Sequence, residues 1–219
     1  MKRPDKRPRE GVLREDAGTT DKEGFIAPSI GALEHALYFT TAPSVTEKAK
    51  QVLDEGRLLL PGVVVVWDET VGRRKGSKAV PKSWWAQAGS LTAAFAFPAC
   101  AKVTQQEQLS QTAAAVVRVI ESFRPHGEVT FRPPNDLLLG DKKMGAVFAE
   151  SHEGADLAIV RLNCSTDLSK APATIAASAC RLIDFIDVRQ LPLQKAGTLP
   201  NTLLTRLMTE LPKEFGAAQ

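Results

Sequence analysis

Residues 131–150, FRPPNDLLLGDKKMGAVFAE, decide how the rest of this sequence is read. Pro133 and Pro134 forbid helix, and Gly140 with Asp141 supplies a turn between apolar runs, so the stretch predicts strand, corner, strand, basic turn and strand. Antiparallel pairing follows. Asn135 and Asp136 then sit just past the Pro-Pro corner, while Lys143 lies beyond the turn, close to the small residues Gly145 and Ala146. The pattern brings together a carboxylate, an ammonium group and backbone that a ligand can approach closely. Lys supplies a compact positive charge for an anionic substrate, and Asp can hold a magnesium ion or orient a water. On residue chemistry alone, a hairpin with polar turn residues is the simpler reading.

Working outward, Asp156–Leu162 reads as a further strand ending at Asn163. Upstream, Gln105 to Phe123 repeats apolar residues at helical spacing (Leu109, Ala113, Val116, Val117, Ile120, Phe123) with Gln and Glu opposite, and Arg124, Pro125 and Gly127 end it. Val63 to Trp67 is a continuous apolar run, hence a strand buried on both faces, and SLTAAFAF within Gly89–Phe97 predicts a strand pairing with it. SVTEKAKQVLDEG predicts a short helix with Ser44 as N-cap, Glu47 completing a capping box and Gly56 near its end. NTLLTRLMTELPKEF carries a stripe of Leu203, Leu204, Leu207 and Leu211, with Asn201 or Thr202 as its cap.

Between the two buried strands lies GRRKGSKAVPKSWW, starting at Gly72. Arg73, Arg74, Lys75, Lys78 and Lys82 crowd there, and like charges this dense repel unless an anion joins them. Glycines let backbone approach a phosphate and arginine grips one through two hydrogen bonds, so the loop suits a nucleotide's phosphates and is expected to order on binding.

At 219 residues and 43% hydrophobic content the chain can bury one substantial core. The net charge of +3 is mild, so a local phosphate site is better supported than general nucleic-acid binding. No apolar run reaches the length of a membrane span, and the opening MKRPDKRPRE lacks the apolar centre of a secretory signal, which places the protein in the cytoplasm. Residues 1–24 read as a solubilising basic tail. Cys100, Cys164 and Cys180 are odd in number and widely spaced, as core residues of a reducing compartment are; His35, His126 and His152 are equally scattered and read as structural.

The central stretch resembles the signature of the biotin protein ligases, in which a Lys-Trp-Pro-Asn-Asp run leads through a turn to Lys, small or apolar residues and an acid. The matching residues here are Arg132, Pro133, Pro134, Asn135 and Asp136, then Lys143 and Glu150. Pro133 stands for Trp and Ala146 for a usual Gly. Gly72, Arg73 and Gly76, with Trp84 beyond, are similar to that family's Gly-Arg-Gly-Arg-x-Gly loop and its tryptophan; Ser44 to Thr46 is similar to its Ser-Thr-Asn run, and Asn163 to the Asn closing its Ile-Gly-x-Gly-Ile-Asn strand. Glu69 takes the place of a Gln that contacts biotin, and Arg161 that of a Gly. Arg161 would either fill part of the biotin pocket or pair with Glu69.

The resemblance runs from about Ala42 to Leu211 and implies the biotin and lipoate ligase catalytic domain: an α+β fold related to class II aminoacyl-tRNA synthetases, with a mixed, largely antiparallel sheet flanked by helices. It implies one such domain over 25–219, without an N-terminal helix-turn-helix or a C-terminal barrel. The implied activity is ATP-dependent formation of biotinyl-5′-AMP and transfer of biotin to a lysine of a biotin carboxyl carrier protein. Alternatives are a lipoate or octanoate ligase or transferase, and a non-catalytic ligand- or carrier-binding protein. Lys143, Arg73 and Asp136 are the implied catalytic residues, with Mg2+ on Asp136. Ser44, Thr46, Glu69, Gly72, Arg74, Trp84, Asn135, Gly145, Ala146 and Arg161 join Arg73 and Lys143 in the substrate site. Arg73, Arg74, Lys75, Asn135, Asp136, Lys143 and Asn163 form the ATP site. A homodimer is admitted; a nucleic-acid or membrane partner is not expected.

Overall fold

The computed structural model describes residues 35–69, 87–187, 189 and 199–216. Among these residues seven strands form a single sheet: β1 (His35–Ala42), β2 (Gly62–Glu69), β3 (Ser90–Pro98), β4 (Val129–Arg132), β5 (Asp136–Leu139), β6 (Lys142–His152) and β7 (Ala155–Asn163). Their order is β1-β2-β3-β7-β6-β5-β4; β1 and β2 run parallel and every other pair is antiparallel. The central stretch supplies three of these strands, as its Pro-Pro corner and Gly140 turn predict. The antiparallel partnership of β2 with β3 is also as expected.

Among the described residues four α-helices accompany the sheet: α1 (Val45–Asp54), α2 (Gln105–Glu121), the short α3 (Ala173–Ser178) and α4 (Leu199–Gly216). Side chains alternate across each strand. Val63, Val65, Phe95, Val160 and Leu162 face α2 and α4, whereas Val64, Val66, Ala94, Leu157 and Ile159 face α1. Val63 through Val66 are all at most 1% exposed, so β2 is covered on both sides, while Trp67 is only half-buried. Full burial of each such side chain contributes about 1.5–3 kcal/mol. The Leu203, Leu204, Leu207 and Leu211 stripe is buried as expected, and Arg118 with Glu214 ties α2 to α4.

Three local expectations are corrected. Ser44 is the N-cap of α1, but it accepts from Thr46 N at 3.2 Å without a reciprocal bond from Glu47. Instead Glu69, arriving from the end of β2, takes the amide of Val45 at 2.7 Å. The reciprocal capping box occurs on α2, where Thr104 and Glu107 exchange side-chain to backbone bonds. On α2 the glutamines are not confined to the outer side: Gln108 is 3% exposed, beside the buried Thr112, Ala115 and Val119. Finally, α4 begins at Leu199, so Asn201 and Thr202 lie inside it. Pro200 can occupy the first turn because no intrahelical bond is required of its nitrogen.

Candidate functional site

The first turns of β5 and β6 build one charged group. Asp136 opens β5 and pairs across the sheet with Ala146, and a register shift between Leu137 and Leu138 sets Lys143 opposite Leu138. Lys143 Nζ lies 2.6 Å from Asp136 Oδ1, and Arg132 Nη2 donates to Asp136 Oδ2 at 2.8 Å. Burial pulls the Asp136 carboxyl upward, but the hydrogen bonds from Arg132 and Lys143 outweigh it and hold the group below the ordinary carboxylate range. Two cations on one carboxylate leave a net positive charge, which favours an arriving anion.

Behind Lys143 the backbone is fixed. Just past the end of α3, Ala179 bridges to Lys143 and Cys180 N donates to Lys143 O at 3.0 Å. Gly145 is needed for a different close approach than a ligand's: a Cβ there would stand 2.3 Å from Arg161 O and 2.7 Å from Leu162 Cδ2. The side on which Gly145 lacks an atom is therefore filled by β7. Asn135 O accepts from Val147 N at 3.0 Å, holding the corner against β6. An open cleft along the edge of β6 adjoins this corner, lined by Gln105, Leu109, Pro134, Asn135, Phe148 and Glu150.

A second charged group lies two strands away in the same row. Asp136 pairs with Ala146, Ala146 with Arg161, and Arg161 with Thr92 of β3, so these four residues share one face of the sheet. Arg161 grips Glu69 through Nε to Oε2 at 3.1 Å and Nη2 to Oε1 at 3.0 Å, and Nη2 also reaches Ser44 Oγ at 3.4 Å. The Arg161 guanidinium lies 5.2 Å from the centre of the Phe148 ring. Of the two alternatives for Arg161, pairing with Glu69 is therefore observed, and the pair occupies the start of α1 as well. Thr46 is buried in that first turn.

Two polar atoms on this face have no hydrogen-bond partner among the described residues: Thr92 Oγ1 and Asn163 Oδ1, in residues 1% and 2% exposed. Buried groups of this kind are uncommon and ask for a partner. Asn163 was expected at the nucleotide site. Thr92 was not singled out; its signal is a hydroxyl in an otherwise apolar strand, at a position facing Arg161.

Gly72, Arg73, Arg74, Lys75 and Trp84 lie outside the described residues. Cys164 and Cys180 are buried, and burial pushes their thiols up to about 12 and about 11, so neither is a ready thiolate nucleophile. Both Asp136 oxygens already face cations, so this carboxylate as it stands does not fit a magnesium ion, and no step is routed through one. Glu150 is drawn away from the row by Lys50 of α1 at 2.7 Å, and His152 lies 2.6 Å from Asp54 at the other end of that helix.

No protein-family model matches the sequence, and neither does a curated protein. Solved structures do match. A biotin protein ligase variant from Aquifex aeolicus in complex with biotin superposes with a TM-score of 0.59 at 17% identity, covering 83% of this chain and 70% of that one. The fold of this chain is that of the biotin and lipoate protein ligases. The Leishmania major biotin protein ligase in complex with biotinyl-5-AMP shares this ligase fold at a TM-score of 0.54 and 16% identity, covering 81% of this chain and 75% of that one. A bipartite lipoate protein ligase from Thermoplasma acidophilum gives 0.54 at 14% identity, covering 86% and 85%. No helix among the described residues of this ligase-fold chain is long and apolar enough to cross a membrane.

Proposed function

We propose that the chain is an ATP-dependent ligase that activates a carboxylic acid as its acyl-adenylate and passes the acyl group to a lysine of a carrier protein. The observation that carries this reading is the Lys143 to Asp136 contact at 2.6 Å, beside Ala146 on the sheet face. In the first step the acid's carboxylate attacks the α-phosphate of ATP and pyrophosphate leaves. In the second the carrier amine attacks the acyl carbon and AMP leaves. Both steps gather negative charge on phosphate oxygens, and a fixed ammonium is worth most where it need not reorganise. Lys143 would supply it. Asp136 would orient Lys143, while Arg132 keeps Asp136 from neutralising it fully. Arg73, Arg74 and Lys75 are proposed to clamp the phosphates, and Asn163 to meet the nucleotide.

Biotin is the acid that the Pro134, Asn135 and Asp136 run favours, with a biotin carboxyl carrier protein as acceptor. Lipoate or octanoate is the second reading, and the Arg161 to Glu69 pair favours it by narrowing the site. Pyrophosphate release with ATP and each acid in turn tests the reading. Lys143→Ala is expected to lower adenylate formation by about three powers of ten, or roughly 4 kcal/mol of barrier, with the melting temperature unchanged. Undiminished adenylate yield in that variant would remove Lys143 from the reaction.

A further inference from the structure

We propose that Asp54, His152 and Glu153 form a site for a borderline divalent metal ion, zinc in the first place, which clips the end of α1 to the β6–β7 turn. One ligand atom from each of the three residues lies within 4.8 Å of the other two. The residues meet only in the fold. Asp54 is the last residue of α1, and His152, the last residue of β6, follows 98 residues later with Glu153 beside it. Lys143 stands near the opposite end of this 11-residue strand, roughly 30 Å away, so the group is separate from the proposed acid-activating site.

Charge and donor chemistry both call for a cation. Asp54 sits at the C-terminal end of α1, where the helix dipole is negative and the last turn holds no basic residue. Neighbouring cations along the chain are engaged elsewhere, Lys50 with Glu150 and Arg57 with Glu55. Glu153 makes no ion pair among the described residues, so two carboxylates share one imidazole, and a divalent ion would balance them. Glu153 also holds a φ of 41°, a left-handed conformation that glutamate seldom adopts, beside Gly154 at 82° in the tight turn between His152 and Ala155. Strain of this kind is kept where the side chain is of use. One imidazole nitrogen with two carboxylate oxygens suits zinc better than magnesium or calcium, which take oxygen ligands. Ligands on a tetrahedral zinc stand about 3.3–3.5 Å apart. His152 Nε2 and Asp54 Oδ1 are 2.6 Å apart, so the ion would replace the proton they share while the exposed Asp54 and Glu153 turn toward it.

Equilibrium dialysis of the full chain against zinc, with magnesium in parallel, tests the site, and no readout depends on ligase activity. One zinc per chain is expected, with a dissociation constant of about 1–10 µM and magnesium weaker by about 100-fold or more. Asp54→Ala, His152→Ala and Glu153→Gly each remove one ligand and should weaken zinc by about tenfold or more. The glycine variant is the sharpest of the three. Glycine suits the turn, so without metal this chain should melt no lower than the unaltered one while holding zinc more weakly. With zinc at about a hundred times its dissociation constant the unaltered chain should melt about 5 °C higher, and the Glu153→Gly chain should gain at most about half of that rise. No zinc bound at about 200 µM free metal, zinc affinity unchanged in Glu153→Gly or in folded His152→Ala, or magnesium bound as tightly as zinc overturns the site. Should Asp54→Ala or His152→Ala fail to fold, Glu153→Gly alone decides.

Discussion

A Cβ on Gly145 would stand 2.3 Å from the carbonyl oxygen of Arg161, so β6 and β7 meet at a distance that only glycine permits. The neighbour is backbone, which cannot rotate away. Gly145→Ala is therefore expected to part the strands beside both charged groups and to cost about 3 kcal/mol or more, the upper range for overpacking. Urea unfolding measures it. A loss below about 1 kcal/mol would mean that the two strands yield easily.

The buried ion pair makes a second prediction, about stability rather than substrate. Glu69→Ala alone strands Arg161, and single losses of this type cost about 3–5 kcal/mol, whereas replacing both partners by apolar residues of similar size is often near neutral. A double-mutant cycle with Glu69→Leu and Arg161→Met reads the coupling. Additive single and double effects would show that the contact contributes nothing.

Acid should loosen the β5 to β6 corner. The folded Asp136 carboxyl titrates below its ordinary value because the bonds from Arg132 and Lys143 outweigh its burial. A depressed carboxylate contributes stability that is fully present above its unfolded pKa and is lost as pH falls through the folded one. Asp136→Asn should remove that part of the acid slope while leaving the curve above pH 6 parallel. Chemical denaturation across pH 3 to 7 distinguishes this from an unchanged slope, which would sink it.

Thiol chemistry supplies the fourth expectation. With Cys164 and Cys180 pushed up to about 12 and about 11 by burial, native protein at pH 8 should alkylate at the half-buried Cys100 well before either. Mass spectrometry of a time course locates the label. Early modification of Cys164 would contradict its burial.

Much of the architecture was legible because its signals are local. The Val63 run, the Pro133 and Pro134 corner and the leucine stripe of α4 each announce an element within a dozen residues. The site was legible in part for the same reason: Asp136 and Lys143 are seven residues apart across one turn. Glu69 and Arg161 are 92 residues apart, and only charge compensation hinted at their pairing. What the sequence hid depends on the third dimension. Gln108 is buried although it is polar, Glu69 rather than Glu47 serves the start of α1, and Thr92 Oγ1 is buried with no hydrogen-bond partner among the described residues. Gly145 read as room for a ligand, yet it makes room for a neighbouring strand.

Helix α1 is fastened at three places: Val45 to Glu69 at its start, Lys50 to Glu150 in its middle and Asp54 to His152 at its end. Ten residues of helix make a rod about 15 Å long. Riveted this way, the rod joins the end of β2 at Glu69 to the part of β6 that leads into the hairpin turn at Glu153.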